Sequence, residues 1–236
     1  MISIKSKRDL ASIIDHTLLE PSSDKNAIDR LCDEALAFSF YSVTVNPYYV
    51  PYCRNRLKGS NVKVVSVVGF PFGATFKEVK SQEAKRAMEM GADEVDMVMN
   101  IGAAKSGDWD IVEEDIGSVV DVSKHNGKVV KVILETCYLT DEEKITACKV
   151  AEKAGADYVK TSTGYGKGGA TVHDVKLMSN TVGSNMGVKA AGGIRTAYDA
   201  LMMIEAGATR IGSSHSVEII QSLAKELLEK EQNLVK

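Results

Sequence analysis

What this chain lacks narrows its chemistry first. Its four cysteines (Cys32, Cys53, Cys137, Cys148) form no Cys-x-x-Cys pair and do not cluster with the four histidines. A disulfide framework or zinc site is therefore not expected; reduced thiols in the cytoplasm are the simpler reading. No His-x-His or His-Glu-x-x-His spacing offers a metal, and no Gly-x-Ser-x-Gly elbow presents a nucleophilic serine. No Gly-x-Gly-x-x-Gly follows the first apolar run, so a dinucleotide site has no support, and no bound cofactor is expected. No apolar run approaches the ~20 residues that span a bilayer. The basic start Met1-Ile2-Ser3-Ile4-Lys5 leads into no apolar core of a secretory leader. The net charge of −3 gives no reason to expect nucleic acid or an anionic membrane as partner. Any anion must be held by a local site.

What the chain does contain is an alternation of short β-branched runs with longer helical patterns. Strands are expected at Ser42–Val45, Lys63–Val68, Glu94–Met99, Val129–Leu134, Asp157–Lys160, Gly187–Ala190 and Arg210–Gly212, with Ile13–Ile14 before Asp15 a weaker first member. Nearly continuous apolar runs suit a parallel sheet covered on its faces. Ser22-Ser23-Asp24 opens a helix running to about Ala37, and Thr140-Asp141-Glu142-Glu143 carries the cap-plus-acid start of another. Three helix ends repeat one phrase, with Gly91, Gly155 and Gly207 placed for a left-handed terminus. These glycines are 64 and 52 residues apart. If every second unit carries the phrase, each unit spans about 32 or 26 residues, the size of a βα unit. Eight such units fit the length, and no linker divides it. The expectation is a single (β/α)8 barrel domain over residues 1–236, with a doubly wound open sheet as the alternative.

In such a barrel the active site forms at the carboxyl ends of the strands. That rule turns strand ends into a search list: His16 and Thr17, Asn46, Asp96, Lys131 and Glu135, Lys160, Lys189, and Gly212-Ser213-Ser214. Cys137, just past a strand, is read as structural. Lys160 and Lys189 stand out, because each follows a valine near a strand end and precedes small residues. A free lysine, with a pKa of ~10.4, is nearly all protonated at neutral pH. Desolvation and a neighbouring cation lower that value and make the amine a nucleophile; both lysines could equally be solvated. Alternation along Glu94–Met99 sets Val95, Met97 and Met99 on one face and Asp96 on the other. An inward Asp96 could relay protons, or form a structural ion pair with Lys131.

The glycine-serine clusters point to phosphate. Gly192-Gly193 ends the seventh strand and Gly212-Ser213-Ser214 the eighth, where this architecture often cradles a phosphate with backbone amides and a helix N-terminus. Gly164, opening a Gly-rich stretch to Gly169, is placed to close over the same anion.

At this point the residues resemble the deoxyribose-phosphate aldolase family. The resemblance is carried by Tyr158-Val159-Lys160-Thr161-Ser162-Thr163-Gly164, Val188-Lys189-Ala190-Ala191-Gly192-Gly193-Ile194-Arg195-Thr196 and Glu94-Val95-Asp96-Met97-Val98. Ile14-Asp15-His16-Thr17-Leu18-Leu19 and Val67-Val68-Gly69-Phe70-Pro71 add to it. It implies metal-free cleavage of 2-deoxy-D-ribose 5-phosphate to acetaldehyde and D-glyceraldehyde 3-phosphate. Lys160 matches the Schiff-base lysine and Asp96 with Lys189 the proton-transfer pair. Gly192, Gly193, Ser213 and Ser214 match phosphate contacts, and Thr17 and Asn46 lie toward the substrate hydroxyls. A homo-oligomer, dimer or tetramer, is compatible with the resemblance. Where some relatives carry Lys after the Thr-Gly, this chain has Tyr165, with Lys167 two places later; either could face the phosphate. The tail 231–236 lacks the Tyr found in some relatives. Two rivals are a barrel aldolase or transaldolase-like enzyme acting on another phosphosugar, and a noncatalytic phosphosugar-binding barrel. Acetaldehyde as donor would set the first apart, and absence of a borohydride-trapped adduct would mark the second.

Overall fold

The computed structural model describes residues 2–223. A short α1 (Lys7–Ala11) precedes the strands β1 (Ile14–Leu18), β2 (Ser42–Val45), β3 (Lys63–Val68), β4 (Glu94–Val98), β5 (Val129–Ile133), β6 (Tyr158–Lys160), β7 (Gly187–Ala191) and β8 (Arg210–Ser213). They pair in parallel in sequence order, and β8 closes onto β1. The expected (β/α)8 barrel is what forms, and the open-sheet alternative falls. The connections hold α2 (Lys25–Phe38), α3 (Val50–Arg56), α4 (Lys77–Glu89), α5 (Ile101–Ser106), α6 (Trp109–Lys124), α7 (Asp141–Lys153), α8 (Val172–Val182) and α9 (Ala197–Glu205). A further helix covers 216–223. The tail 231–236 lies outside the described residues.

Local chemistry sets most of these boundaries. Asp24 caps α2 by accepting from the Ala27 amide at 2.9 Å, so the helix starts at Lys25, just after the expected Ser-Ser-Asp signal. Thr140 and Glu143 form the reciprocal capping box of α7, at 3.3 and 2.8 Å. Gly91, Gly155 and Gly207 take φ of 112°, 86° and 113°, which a Cβ would strain, and each turns the chain into β4, β6 or β8. The repeated phrase thus marks alternate units, as its spacing implied. The clearest boundary difference is β1, where Asp15, His16, Thr17 and Leu18 lie in the strand itself. Pairing with both β2 and β8 recruits this polar run, which hydrophobicity alone did not mark.

Outward residues of each strand, such as Val95, Met97, Val130, Val132, Val159, Val188 and Ile211, are buried in the apolar layer between sheet and helices. Each such aliphatic side chain contributes about 1.5–3 kcal/mol when fully buried. The interior is different. Asp15, Glu94, Asp96, Lys131, Lys160, Lys189 and Arg210 are all buried inside the strand ring, three acids among four cations. Buried charges add little net stability, because desolvation costs what pairing returns. The charged interior therefore adds little to stability, which comes from the surrounding apolar layer.

Candidate active site

Lys160, Lys189 and Asp96 converge. Lys160 and Lys189 are register partners across β6 and β7, which brings their amines onto one carboxylate from β4. Asp96 Oδ2 accepts from Lys160 Nζ at 2.8 Å and from Lys189 Nζ at 2.7 Å, while Oδ1 accepts from Lys131 Nζ at 2.8 Å. Both sequence readings of Asp96 thus describe parts of one network: it pairs with Lys131 and also faces the other two lysines. Asp15 Oδ2 meets Lys189 Nζ at 2.5 Å.

Burial, the largest effect, and the adjacent Lys189 and Lys131 cations lower Lys160, against the pull of Asp96, to about 8. Burial alone would raise the Asp96 carboxyl. Lys131, Lys160 and Lys189 outweigh it and hold Asp96 well below the usual carboxylate range. Burial would likewise depress Lys131, but Asp96, Asp15 and Glu94 keep it above the ordinary lysine value. One amine thus has an appreciable neutral fraction at physiological pH, far above that of a free lysine, beside a firmly ionised carboxylate. That combination suits nucleophilic attack followed by proton transfer.

Lys160 opens into a cavity of about 470 Å³ at the carboxyl ends of the strands. Thr17, Gly164, Gly192, Gly193, Gly212, Ser213 and Ser214 line it. The loops after β6 and β7 close on each other: the Ala170 amide donates to Gly192 O at 3.0 Å. A Cβ on Gly169 would stand 2.3 Å from that oxygen, so only glycine permits the approach. Ser213 spends its hydroxyl internally, donating to Ile194 O at 2.7 Å and accepting from the His215 amide at 2.9 Å. It shapes the turn before helix 216–223, and the more exposed Ser214 is the hydroxyl at the rim.

Other residues depart from the sequence expectation. Asn46 is not among the cavity walls; its amide donates to Leu19 O at 3.0 Å and braces a residue that is. His16 turns outward, bonded to Glu34 at 2.8 Å and packed on Phe40, because Asp15 and Thr17 take the inward positions of β1. Tyr165 does line the cavity, whereas Lys167 lies 5.3 Å over the Tyr138 ring, outside the cavity walls. Arg195 was missed: its exposed side chain lines the cavity two residues past Gly193, and cationic type within the Gly-Gly loop was the available signal. Glu135 is buried, accepts from the Thr163 amide and hydroxyl, and so pins the loop after β6. Burial raises its carboxyl. Cys137 sits beside it, 3.9 Å from Oε1.

Fold and site together describe a (β/α)8 barrel whose buried lysine–aspartate cluster opens into a cavity at the carboxyl ends of the strands, and comparison with known proteins places it in a family. A DeoC/LacD family aldolase model matches residues 10–221. A deoxyribose-phosphate aldolase of Aciduliprofundum boonei is 61% identical over 216 residues, covering 92% of this chain and 97% of the relative. That of Thermococcus kodakarensis is 58% identical over 223 residues, covering 94% and 100%. The solved deoxyribose phosphate aldolase of Aeropyrum pernix, a tetramer, superposes with a TM-score of 0.88 at 36% identity, covering 93% of this chain and 92% of that one. The chain belongs to the DeoC/LacD aldolase family. It is an enzyme of the lyase class.

Proposed function

We propose that this chain reversibly cleaves 2-deoxy-D-ribose 5-phosphate to acetaldehyde and D-glyceraldehyde 3-phosphate through a Schiff base on Lys160. The observation that carries the mechanism is the single Asp96 carboxylate oxygen shared by Lys160 and Lys189 beside the cavity. The neutral Lys160 amine attacks the C1 aldehyde of the open-chain sugar and loses water to give a protonated imine. Asp96 with Lys189 removes the C3 hydroxyl proton, through a water where direct reach fails. The C2–C3 bond breaks, its electrons pass into the iminium, and glyceraldehyde 3-phosphate leaves. The resulting enamine is protonated at C2, and hydrolysis releases acetaldehyde and restores the amine. No step calls for a metal or cofactor.

The phosphate would rest on the loops after β7 and β8, with amides at Gly192, Gly193, Gly212, Ser213 and Ser214, the Ser214 hydroxyl, and Arg195 at the rim. Gly164 and Tyr165 close the side, and Thr17 faces the sugar. Residues 1–236 would act as one catalytic domain in the cytoplasm, within deoxyribonucleoside breakdown. Four unpaired cysteines support that compartment, and the tetrameric relative supports a homo-oligomer. Among the described residues no helix is long and apolar enough to cross a membrane.

The test is covalent capture. Acetaldehyde with borohydride, followed by peptide mass spectrometry, should place the first reduced adduct on Lys160, with substrate competing. Lys160→Arg should lose both the adduct and acetaldehyde release. Earlier capture at Lys131 or Lys189 would move the imine, and full activity in Lys160→Arg would remove the Schiff-base mechanism. Dihydroxyacetone compounds acting as donor in place of acetaldehyde would redirect the substrate assignment.

A further inference from the structure

Beneath the lysine pair lies a second charged layer that the bond cleavage does not touch. Glu94 Oε2 is 2.5 Å from Lys131 Nζ and 3.2 Å from Arg210 Nη1, and Glu94 Oε1 accepts from the Tyr41 hydroxyl at 2.8 Å. Asp15 links the layers: Oδ1 takes Arg210 Nη1 at 3.0 Å and the Ser42 hydroxyl at 2.7 Å, while Oδ2 lies 2.5 Å from Lys189 and 3.8 Å from Lys131. The Arg210 guanidinium stacks 3.5 Å from the Tyr41 ring centroid and reaches the Tyr158 hydroxyl at 3.5 Å.

Three carboxylates, Asp15, Glu94 and Asp96, therefore serve four cations, Lys131, Lys160, Lys189 and Arg210. An interior with one surplus positive charge releases a proton where the hold is weakest. Among the described residues and within 4 Å, Lys131 has three carboxylates, Lys189 and Arg210 have two each, and Lys160 has one, which it shares. Of the other titratable groups facing this set, the Tyr41 hydroxyl donates to Glu94 and burial raises its phenol, while the Tyr158 hydroxyl accepts from Arg210. Glu135 feels the Lys160 charge from beyond 4 Å, but burial raises its carboxyl and its oxygens turn to Thr163, so it offsets the surplus only in part.

We propose that Glu94 and Lys131 are positioning residues that set the proton affinity of Lys160 from below, by fixing a one-cation surplus which Lys160 alone can relieve. The inference deepens the assignment of Lys160 as the imine-forming amine and rests on it for its catalytic meaning. It makes two changes in the same layer act with opposite sign. Glu94→Gln keeps the shape but deletes a negative charge. Lys131 stays protonated, because Asp96 and Asp15 remain within 4 Å, so the surplus grows and Lys160 releases its proton more readily. Lys131→Met deletes a cation, balances the layer and strengthens the hold on the Lys160 proton.

The experiment measures the rate of acetaldehyde–borohydride capture at Lys160 from pH 6 to 10, with the ¹³C NMR titration of that lysine assigned through Lys160→Arg. Starting from about 8, a one-unit fall in Glu94→Gln would speed capture at pH 7 by about fivefold. A one-unit rise in Lys131→Met would slow it by about tenfold. Both rates should rejoin the parent rate near pH 10. Packing damage would slow capture at every pH. A Glu94→Gln titration that is unmoved or moves upward overturns the inference, and this near-isosteric variant decides the matter if Lys131→Met does not fold. Capture at a lysine other than Lys160 would overturn the imine assignment alone, since the NMR titration would still read the charge effect.

Discussion

Replacing Asp96 with asparagine separates two roles that the geometry assigns to one side chain. Among the described residues Asp96 is the only carboxylate within 4 Å of Lys160, at 2.8 Å, whereas Lys189 keeps Asp15 and Lys131 keeps Glu94 and Asp15. Loss of that charge leaves Lys160 less able to hold its proton than in the parent, where a value of about 8 leaves roughly one amine in eleven neutral at pH 7. The neutral fraction therefore rises, and the acidic limb of the capture rate moves to lower pH. The base that takes the C3 hydroxyl proton is gone, however, which should reduce turnover by ~10² or more, about 2.7 kcal/mol of barrier. Breaking a buried charge network typically costs about 3–5 kcal/mol of stability, and deprotonation of Lys160 offsets part of that. The assay pairs steady-state acetaldehyde release with single-turnover capture at Lys160, on protein shown by thermal melting to be folded at the assay temperature. Release should fall while capture at pH 7 speeds up. A parallel fall in both would refute the division of roles, and near-parent release would return Asp96 to a purely structural ion pair.

Two further outcomes concern Lys160 and the cavity rim. Lys160→Met should stabilise the fold at pH 7 by roughly 3 kcal/mol, the equivalent of the fall from 10.5 to about 8, read as a shift in the urea midpoint. Because the folded value lies below the unfolded one, the unfolded chain binds more protons between pH 8 and 10.5. The gain should be full below pH 8 and fade across that window; a pH-independent gain would trace it to packing. At the cavity rim, Ser214→Asp should raise KM for deoxyribose 5-phosphate far more than KM for unphosphorylated deoxyribose, by like-charge repulsion. Equal effects on both substrates would move the phosphate elsewhere.

By itself the sequence determined the barrel, the order of its units, and the side on which Asp96, Lys160 and Lys189 lie. Strand alternation along Glu94–Val98 turned Asp96 inward, the Val-Lys pairs put Lys160 and Lys189 near adjacent strand ends, and the caps at Asp24 and Thr140 started helices. Each of these depends on neighbours a few residues apart, which is why periodicity and capping reveal them. Only closure of the barrel decided the rest. It brought Asp15 from β1, Glu94 from β4, Lys131 from β5 and Arg210 from β8 into one buried set, although Arg210 and Asp15 are 195 positions apart in the chain. It also committed the Ser213 hydroxyl to Ile194, turned Asn46 onto Leu19, aimed Lys167 at Tyr138, and left Arg195 at the rim. These placements depend on which distant backbone or ring stands within about 3–5 Å of a given side chain. Local composition carries no record of such partners, because strand register and loop contact create them only when the last strand meets the first.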